Sequence, residues 1–487
     1  MNELIVLLDG GEAGTVTSDK GRLTFSYTDS WRNAPNAFPL SLSMPLAAKV
    51  HTNAAMEPFV WGLLPDNEQV LRSWGQKFQV SPRNAFALIS HVGEDCAGAV
   101  QFVRHENLSA VLEQVMPEPD WLSESQVAAR LRAVKADASA GRMPGDKGQF
   151  SLAGAQPKTA LHFYQQRWGV TAGRTPTTHI LKPASAELAG HAENEYLCLR
   201  LATSLGLSTT EAHVHYFEDV PTIVVERYDR VNVAEAATNR RANAANLFSK
   251  ATELKARGEK NAEVEAIELE AQEDLELSKQ LEVRAETLFI ARQHQEDFCQ
   301  ALRIHPSLKY QNEGGPGPKQ IIELMRTNIS SHEAANGNKK FPYTVDHDIN
   351  TFLDALIFNW LIGGTDAHAK NYSLLIGGGG MVRLAPLYDI ASILAYPDID
   401  PRKAKLAMKI GDRYGLTDVT LSDWRKLATT CRLGADTVIG SIRRMANELP
   451  DRLSDEIKLM HESGLRHTVI YKLAALLPKR AAEIAAM

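Results

Sequence analysis

The period of the hydrophobic pattern changes along the chain, and the changes divide it. Over residues 1–108, short apolar runs at 4–8, 23–27 and 97–103 are broken by Gly10-Gly11 and by prolines, the pattern of short strands joined by turns. An apolar segment from Phe59 stops at Leu64-Pro65-Asp66-Asn67, and the chain turns helical from Asn67 onward. This region reads as a small β-rich subdomain with helical pieces.

Over 109–232 helix and strand periods alternate. Ser123 followed by Gln126 is a capping-box pattern, and Val127, Leu131 and Val134 form one face of a helix over 123–136. Residues 141–148 combine glycine and charge and read as a mobile loop. Strand patterns return from Phe150, at 159–164 and 179–182. A helix over 193–205 follows, with Leu197, Leu201 and Leu205 on one face and Gly206 as its stop. Strands at 212–217 and 221–226 complete the order strand, strand, helix, strand, strand, which a nucleotide-clasping lobe requires.

Residues 233–293 lack proline and are dominated by Ala, Glu, Lys, Leu and Gln, so helix propensity is high throughout. Gly258 marks a turn, and the sparse apolar positions Val264, Ile267, Leu275, Leu281 and Leu288 predict a long, largely solvated helical hairpin. Helices dominate 294–487. A core helix over 349–361 carries Phe352, Leu356, Ile357, Trp360 and Leu361 on one face and leads to Asp366. Strands at 372–376 and 381–385 flank Gly377-Gly378-Gly379-Gly380, and 420–487 is amphipathic helix. The fold class is α+β, in two lobes preceded by the β-rich subdomain.

Composition narrows the function classes only slightly. With 44% hydrophobic and 23% charged residues, the chain of 487 residues has the make-up of a soluble globular protein. A net charge of -6 gives no steering toward nucleic acid or membrane, so any DNA contact needs a local patch or a basic partner. Cys96, Cys198, Cys299 and Cys431 are scattered without metal-ligand spacing, as in buried thiols of a reducing cytoplasm. The N-terminus lacks the features of a signal peptide.

The candidate chemistry lies in four pieces. In Ser151-Leu152-Ala153-Gly154-Ala155-Gln156-Pro157-Lys158, small residues let backbone N–H groups approach phosphate oxygens and Lys158 adds charge. The spacing is not a Walker A, and alone the loop reads equally as a turn. Lys182 ends an apolar strand, where it can reach α- and β-phosphates or simply face solvent. Glu193 or Glu195 can hold it, as a kinase helix glutamate does. Val224-Val225-Glu226-Arg227-Tyr228-Asp229-Arg230 runs from an apolar strand into charge, and its backbone groups are available to an adenine edge. The fourth piece is the most specific: Gly364-Thr365-Asp366-Ala367-His368-Ala369-Lys370-Asn371, then Pro386-Leu387-Tyr388-Asp389. Asp366 is the candidate general base and Asn371 and Asp389 the candidate Mg²⁺ ligands, with His368 and Lys370 placed to meet phosphate. His213-Val214-His215 and Asp346-His347-Asp348 lack further ligands nearby and read as structural.

These pieces, in order, resemble the HipA family of serine/threonine kinase toxins. The matching motifs include Gly-Ala-Gln-x-Lys at 154–158, Ile-Leu-Lys-Pro at 180–183 and Glu-Asn-Glu-Tyr at 193–196. They continue with Val-Glu-Arg-Tyr-Asp-Arg at 225–230, Gln-Glu-Asp-Phe-Cys-Gln at 295–300, the segment 364–371 and Leu-Tyr-Asp-Ile at 387–390. The match runs from Leu64-Pro65-Asp66-Asn67 to Lys405-Leu406-Ala407-Met408. The resemblance implies a two-lobed, HipA-like protein kinase using ATP and Mg²⁺. It implies a small DNA-binding, HipB-like antitoxin, operator DNA reached through it, and an aminoacyl-tRNA synthetase as target. It implies Asp366 as base, Asn371 and Asp389 on the metal, and Lys158 and Lys182 on phosphates. Glu226, Arg227 and Tyr228 become the adenine hinge, His368 and Tyr388 line the site, and Ser151 is the autophosphorylated serine. The helical stretch of roughly sixty residues after Arg230 exceeds the family's usual connection and reads as an added element for protein contact. Two other classes share these residues: a catalytically quiet co-repressor, and a small-molecule phosphotransferase.

Overall fold

The computed structural model describes residues 3–112, 118–141, 143, 146, 150–171, 175–184, 188–257, 262–286, 288–329 and 344–487. The N-terminal subdomain is a five-stranded antiparallel sheet in the order Val50–His51, Arg22–Tyr27, Gly11–Asp19, Glu3–Leu8, Val100–Val103. Phe25, Phe59, Leu88 and Phe102 pack its core between the sheet and the helices Asn53–Leu63 and Ala85–Val92. Gly11–Asp19, rich in Gly, Thr and Ser, is a strand that the apolar pattern did not mark. It forms because its neighbours on both sides supply the ladder.

The middle lobe is a six-stranded sheet ordered Ala212–Phe217, Val220–Glu226, His179–Pro183, Thr159–Tyr164, Arg167–Val170, Asp120–Leu122. The helix Glu124–Ala136 has the expected capping box: Ser123 accepts from the Gln126 amide, and Gln126 accepts from the Ser123 amide. It lays Val127 and Leu131 on Leu161, Leu181 and Val224. The expected loop at 141–148 lies largely outside the described residues. Phe150 pairs with Asp95 as a single bridge rather than opening a strand. The helix His191–Ser204 starts two residues before the expected position and buries Leu197 and Leu201 completely. Gly206, with φ +91°, turns the chain after it.

The helical hairpin is present as Val233–Ala256 and Ala262–Ala285, while Gly258 falls outside the described residues. Its root is a short ladder in which Asn232 faces Ile290 and Arg230 faces Arg292. Ala251, Val264 and Ile267 make a small apolar contact near the tip, and Asp274 binds Arg240 and Asn243 between the helices.

The C-terminal lobe packs Val345–Ile362, Leu421–Thr430, Ala435–Glu462 and Thr468–Ala485 around Trp360 and Trp424, whose rings are 5.6 Å apart. A three-stranded sheet, His294–Asp297, Ser373–Ile376, Val382–Leu384, lies at the cleft. Its first strand falls where helix was expected, since Glu296 and Asp297 are polar yet buried. The four cysteines are buried and free. Among the described residues no helix is long and apolar enough to cross a membrane.

Candidate active site

The lobes enclose a cavity of about 480 Å³ lined by the loop 152–158, the strand carrying Lys182, the segment after Glu226, and both segments bearing aspartates 366 and 389. That volume suits a small-molecule ligand. Lys182 reaches across it, with Nζ 2.8 Å from Glu195 Oε1 and 2.7 Å from Asp389 Oδ1. Geometry therefore selects Glu195. Glu193, left open by sequence, accepts instead from the Tyr216 hydroxyl at 3.1 Å. Desolvation opposes charge on Lys182, but Asp389 and Glu195 outweigh it and hold the ammonium well above the usual lysine range. Desolvation likewise opposes charge on Asp389, and Lys182 and then Lys158 hold that carboxylate well below the ordinary range. Asp389 sits at φ +59°, a left-handed conformation that aspartate tolerates better than most residues.

Lys158 donates to the Ala153 carbonyl at 2.6 Å across the loop, and Gly154 takes φ +97° to make that turn. Desolvation, and next the charge of Lys182, pull the Lys158 ammonium down to about 8. Ala153, Gly154, Ala155 and Gln156 all border the cavity. Ser151, beside them, is wholly buried, and its hydroxyl donates to the Leu63 carbonyl at 2.7 Å.

Asp366 follows the core helix through a tight exit. Gly363 has φ +70°, and a Cβ on Gly364 would meet Asn359 Oδ1 at 2.2 Å. The Asp366 side chain is 67% exposed, open to an incoming acceptor. Tyr310, which sequence reasoning missed, donates its hydroxyl to Asp366 Oδ1. The His368 ring stands edge-on to Tyr310, with centroids 5.0 Å apart. Burial lowers His368 to about 4 despite Asp366 nearby, so it is neutral at pH 7. Asn371 donates Nδ2 to the Asp366 carbonyl at 2.8 Å, leaving its amide oxygen for another partner. Lys370 is buried against Asp66 at 2.6 Å.

Among the described residues no group of three or more His, Cys, Asp or Glu is placed to hold a metal. One carboxylate, Asp389, and one amide oxygen, Asn371, border the same cavity. That donor set fits Mg²⁺, which binds through one or two protein oxygens plus phosphate and water.

The hinge needs a correction. Its backbone is not all free: the Glu226 N–H donates to Glu211 O and the Arg227 N–H to Thr178 O, both at 2.9 Å. The Glu226 carbonyl accepts from the Thr210 hydroxyl at 2.7 Å. The Arg227 side chain turns away from the ligand space. It joins Arg230, Arg292, Asp95 and Asp229 in a network that ties the N-terminal subdomain to the hinge. Tyr228 does face the cavity, stacked with Tyr388 at 5.8 Å and 30°. Tyr388 donates to the Lys370 carbonyl at 2.7 Å. His213 and His215 are ring neighbours on an edge strand, Asp348 accepts the Leu384 N–H at 3.1 Å, and among the described residues neither set belongs to a group of three or more metal-capable side chains.

Two lobes joined by a hinge strand, with an ion-paired strand lysine facing an Asn–Asp pair, define a protein-kinase-like fold. The chain belongs to the HipA family. The HipA-like C-terminal domain model matches residues 150–453 and the HipA N-terminal domain model residues 4–103. A putative kinase, Y4mE, of Sinorhizobium fredii is 31% identical over 473 residues, covering 94% of this chain and 95% of that protein. The serine/threonine-protein kinase toxin HipA of Shewanella oneidensis is 27% identical over 465 residues, covering 92% of this chain and 87% of that one. The structure of HipA from that organism, in a complex with HipB and operator DNA, has a TM-score of 0.71 over 99% of each chain at 22% identity.

Proposed function

We propose that the protein is an ATP- and Mg²⁺-dependent serine/threonine kinase toxin of a toxin–antitoxin module, neutralised by a small DNA-binding, HipB-like antitoxin. The observation that carries the reading is Lys182 bridged between Glu195 and Asp389 in a cavity that Asp366 and Asn371 also border. Asp389 in that pair is 40% exposed, so its carboxylate remains accessible to a bound ligand.

In this reading Lys182 and Lys158 neutralise the phosphates of ATP and the Glu226–Tyr228 segment takes the adenine edge, through Tyr228 rather than the Arg227 side chain. Asp366 accepts the proton of the acceptor hydroxyl as that oxygen bonds the γ-phosphorus. The bond to the β-phosphate oxygen breaks, and ADP leaves with that electron pair. Asn371 and Asp389 would hold Mg²⁺, which when bound would supply charge neutralisation at the phosphates. Tyr310 orients the Asp366 carboxylate, and neutral His368 adds no charge.

Ser151 is the proposed autophosphorylation site. Its oxygen lies buried 2.7 Å from a carbonyl, where a dianion cannot be accommodated. A phosphorylated loop therefore stays out, and Ala153–Lys158 leave the phosphate site with it. The external target is a protein, with an aminoacyl-tRNA synthetase as the first one to try, and operator DNA is reached through the antitoxin. Proteins from a cell extract and a panel of purified synthetases, given labelled ATP, check this. Label on a protein serine or threonine with wild type and none with Asp366→Ala is the expected outcome. Label confined to small molecules, or ATP bound with no transfer at all, would replace the reading with a phosphotransferase or a co-repressor.

A further inference from the structure

The N-terminal subdomain has its own core, yet it sends one carboxylate into the cleft. The helices Asn53–Leu63 and Glu68–Phe78 are joined by Leu64-Pro65-Asp66-Asn67, a strap fixed by both. Asn67 caps the second helix, accepting from the Gln69 amide at 2.9 Å. Asp66 therefore projects from a rigid turn. Its two oxygens diverge, Oδ1 to Lys370 Nζ at 2.6 Å and Oδ2 to Lys309 Nζ at 2.9 Å. Burial opposes charge on Asp66, but the two ammonium groups outweigh it and hold the carboxylate ionised below its ordinary range.

The two lysines belong to the segment that carries Asp366 and to the segment that contacts it. Lys370 lies four residues after Asp366, and Lys309 precedes Tyr310, whose hydroxyl binds Asp366. The same strap also grips the phosphate loop. The Asp66 N–H donates to Gly154 O at 3.2 Å, Pro65 and Gly154 form a parallel bridge, and the Leu63 carbonyl accepts from Ser151. One short segment of the N-terminal subdomain thus touches both halves of the transfer site, which otherwise belong to different lobes.

We propose that Asp66 is a positioning residue for phosphoryl transfer: by holding Lys370 and Lys309 it keeps the segment bearing Asp366 in register with the phosphate loop. The inference rests on the kinase reading above. It makes the N-terminal subdomain part of the active site rather than an appendage.

The test uses the full chain with Asp66→Asn, which keeps shape and removes charge, and Asp66→Glu, which keeps charge and shifts it by one methylene. Folding is checked by thermal unfolding, nucleotide affinity with a non-hydrolysable ATP analogue, and transfer by the rate of phosphate incorporation. Misplacing reacting groups by about 1 Å costs about 100-fold. The expected result is a kcat lowered about 10- to 100-fold in Asp66→Asn, with analogue affinity within about threefold of wild type. Asp66→Glu recovers part of the rate, and Asp66→Asn adds no further loss in a Lys370→Met background. Unchanged kcat in Asp66→Asn, or a loss that multiplies with Lys370→Met, overturns the proposal while leaving the kinase reading intact. If Asp66→Asn fails to fold, Asp66→Glu decides alone, and a folded Asp66→Glu with wild-type kcat overturns it. Absence of transfer by wild type overturns the kinase reading, and this inference with it.

Discussion

The cleft and the junction behind the hinge are built from the same materials, basic side chains against aspartates, and they differ in openness and in the basic residue used. At the junction Arg227, Arg230 and Arg292 face Asp95 and Asp229, every side chain 7% exposed or less. Thr177 donates to Asp95 at 2.7 Å and the Gly98 amide to Asp229 at 2.6 Å, so the carboxylates have hydrogen-bond donors from backbone and hydroxyl as well as guanidinium. Arginine's planar fork suits such fixed, multidentate pairing. In the cleft the cations are lysines, single charges that can exchange a carboxylate for a phosphate. Of their partners, Glu195 and Asp66 are 1% and 12% exposed, but Asp389 is 40% exposed on the cavity, and Asp366 beside them, bound to Tyr310, is 67% exposed. A charge network that is closed holds the fold together, and one that is open on a cavity is available for chemistry.

That contrast can be broken by mutation. Asp366→Ala should lower phosphate transfer by about 10²- to 10⁴-fold, the scale of a lost general base, with no fall in unfolding temperature. Asp95→Asn should do the reverse. Loss of a partner from a buried pair costs about 3–5 kcal/mol, measurable by denaturant unfolding, while nucleotide affinity in the surviving folded fraction stays near wild type. If Asp95→Asn proved as stable as wild type, the junction would not be the brace described. Tyr310→Phe removes one hydrogen bond to a carboxylate, and about a tenfold drop in kcat is expected with little change in ATP affinity.

A pH effect comes next in size. Lys158 loses its proton near 8 in the free protein, against an ordinary value of 10.5. Its charge, and nucleotide affinity with it, should decline as pH rises from 7 to 9, by no more than about tenfold per unit. Lys158→Met should flatten the profile in a titration with a fluorescent ATP analogue. The stability effect has the opposite sign. Between pH 8 and 10.5 the unfolded lysine holds a proton that the folded one releases, so this group's penalty on folding shrinks as pH rises.

The smallest effect is expected at the arm. Asn232 and Ile290 face each other in a ladder, so a tight turn can replace residues 233–289. Autophosphorylation in that variant should stay within about twofold, since the arm lies outside the cavity lining. A collapse of activity would mean that the arm supports the hinge.

Most of the architecture was legible where one physical signal dominated. The capping box at Ser123 and Gln126, the leucines of His191–Ser204 and the core face of Val345–Ile362 all correspond to observed elements. Strands whose residues are polar were missed: Gly11–Asp19 carries few apolar positions although both its partners are adjacent in the chain, and His294–Asp297 pairs with Ser373–Ile376, far along the sequence. The cleft shows the same division. Asp366, Asn371 and Asp389 are spaced locally and readable. Asp66 and the pair Lys309-Tyr310 come from two other segments, and only folding brings them to Asp366 and Lys370. The choice of Glu195 over Glu193 required the helix rotation that the sheet imposes on it. The inward face of Arg227 required the junction, whose Asp95 lies more than a hundred residues upstream.

The central claim, that the cleft transfers phosphate with Asp366 as base, is tested most directly on the protein itself. Purified wild type and Asp366→Ala are incubated with Mg-ATP and examined by intact mass and by mapping of the Ser151 peptide. The account predicts one added phosphate at Ser151 in wild type and none in the variant. Phosphate on Ser151 in both proteins would remove Asp366 from the role of base. ATP bound with no phosphate on any residue, and none passed to a protein acceptor, would contradict the account as a whole.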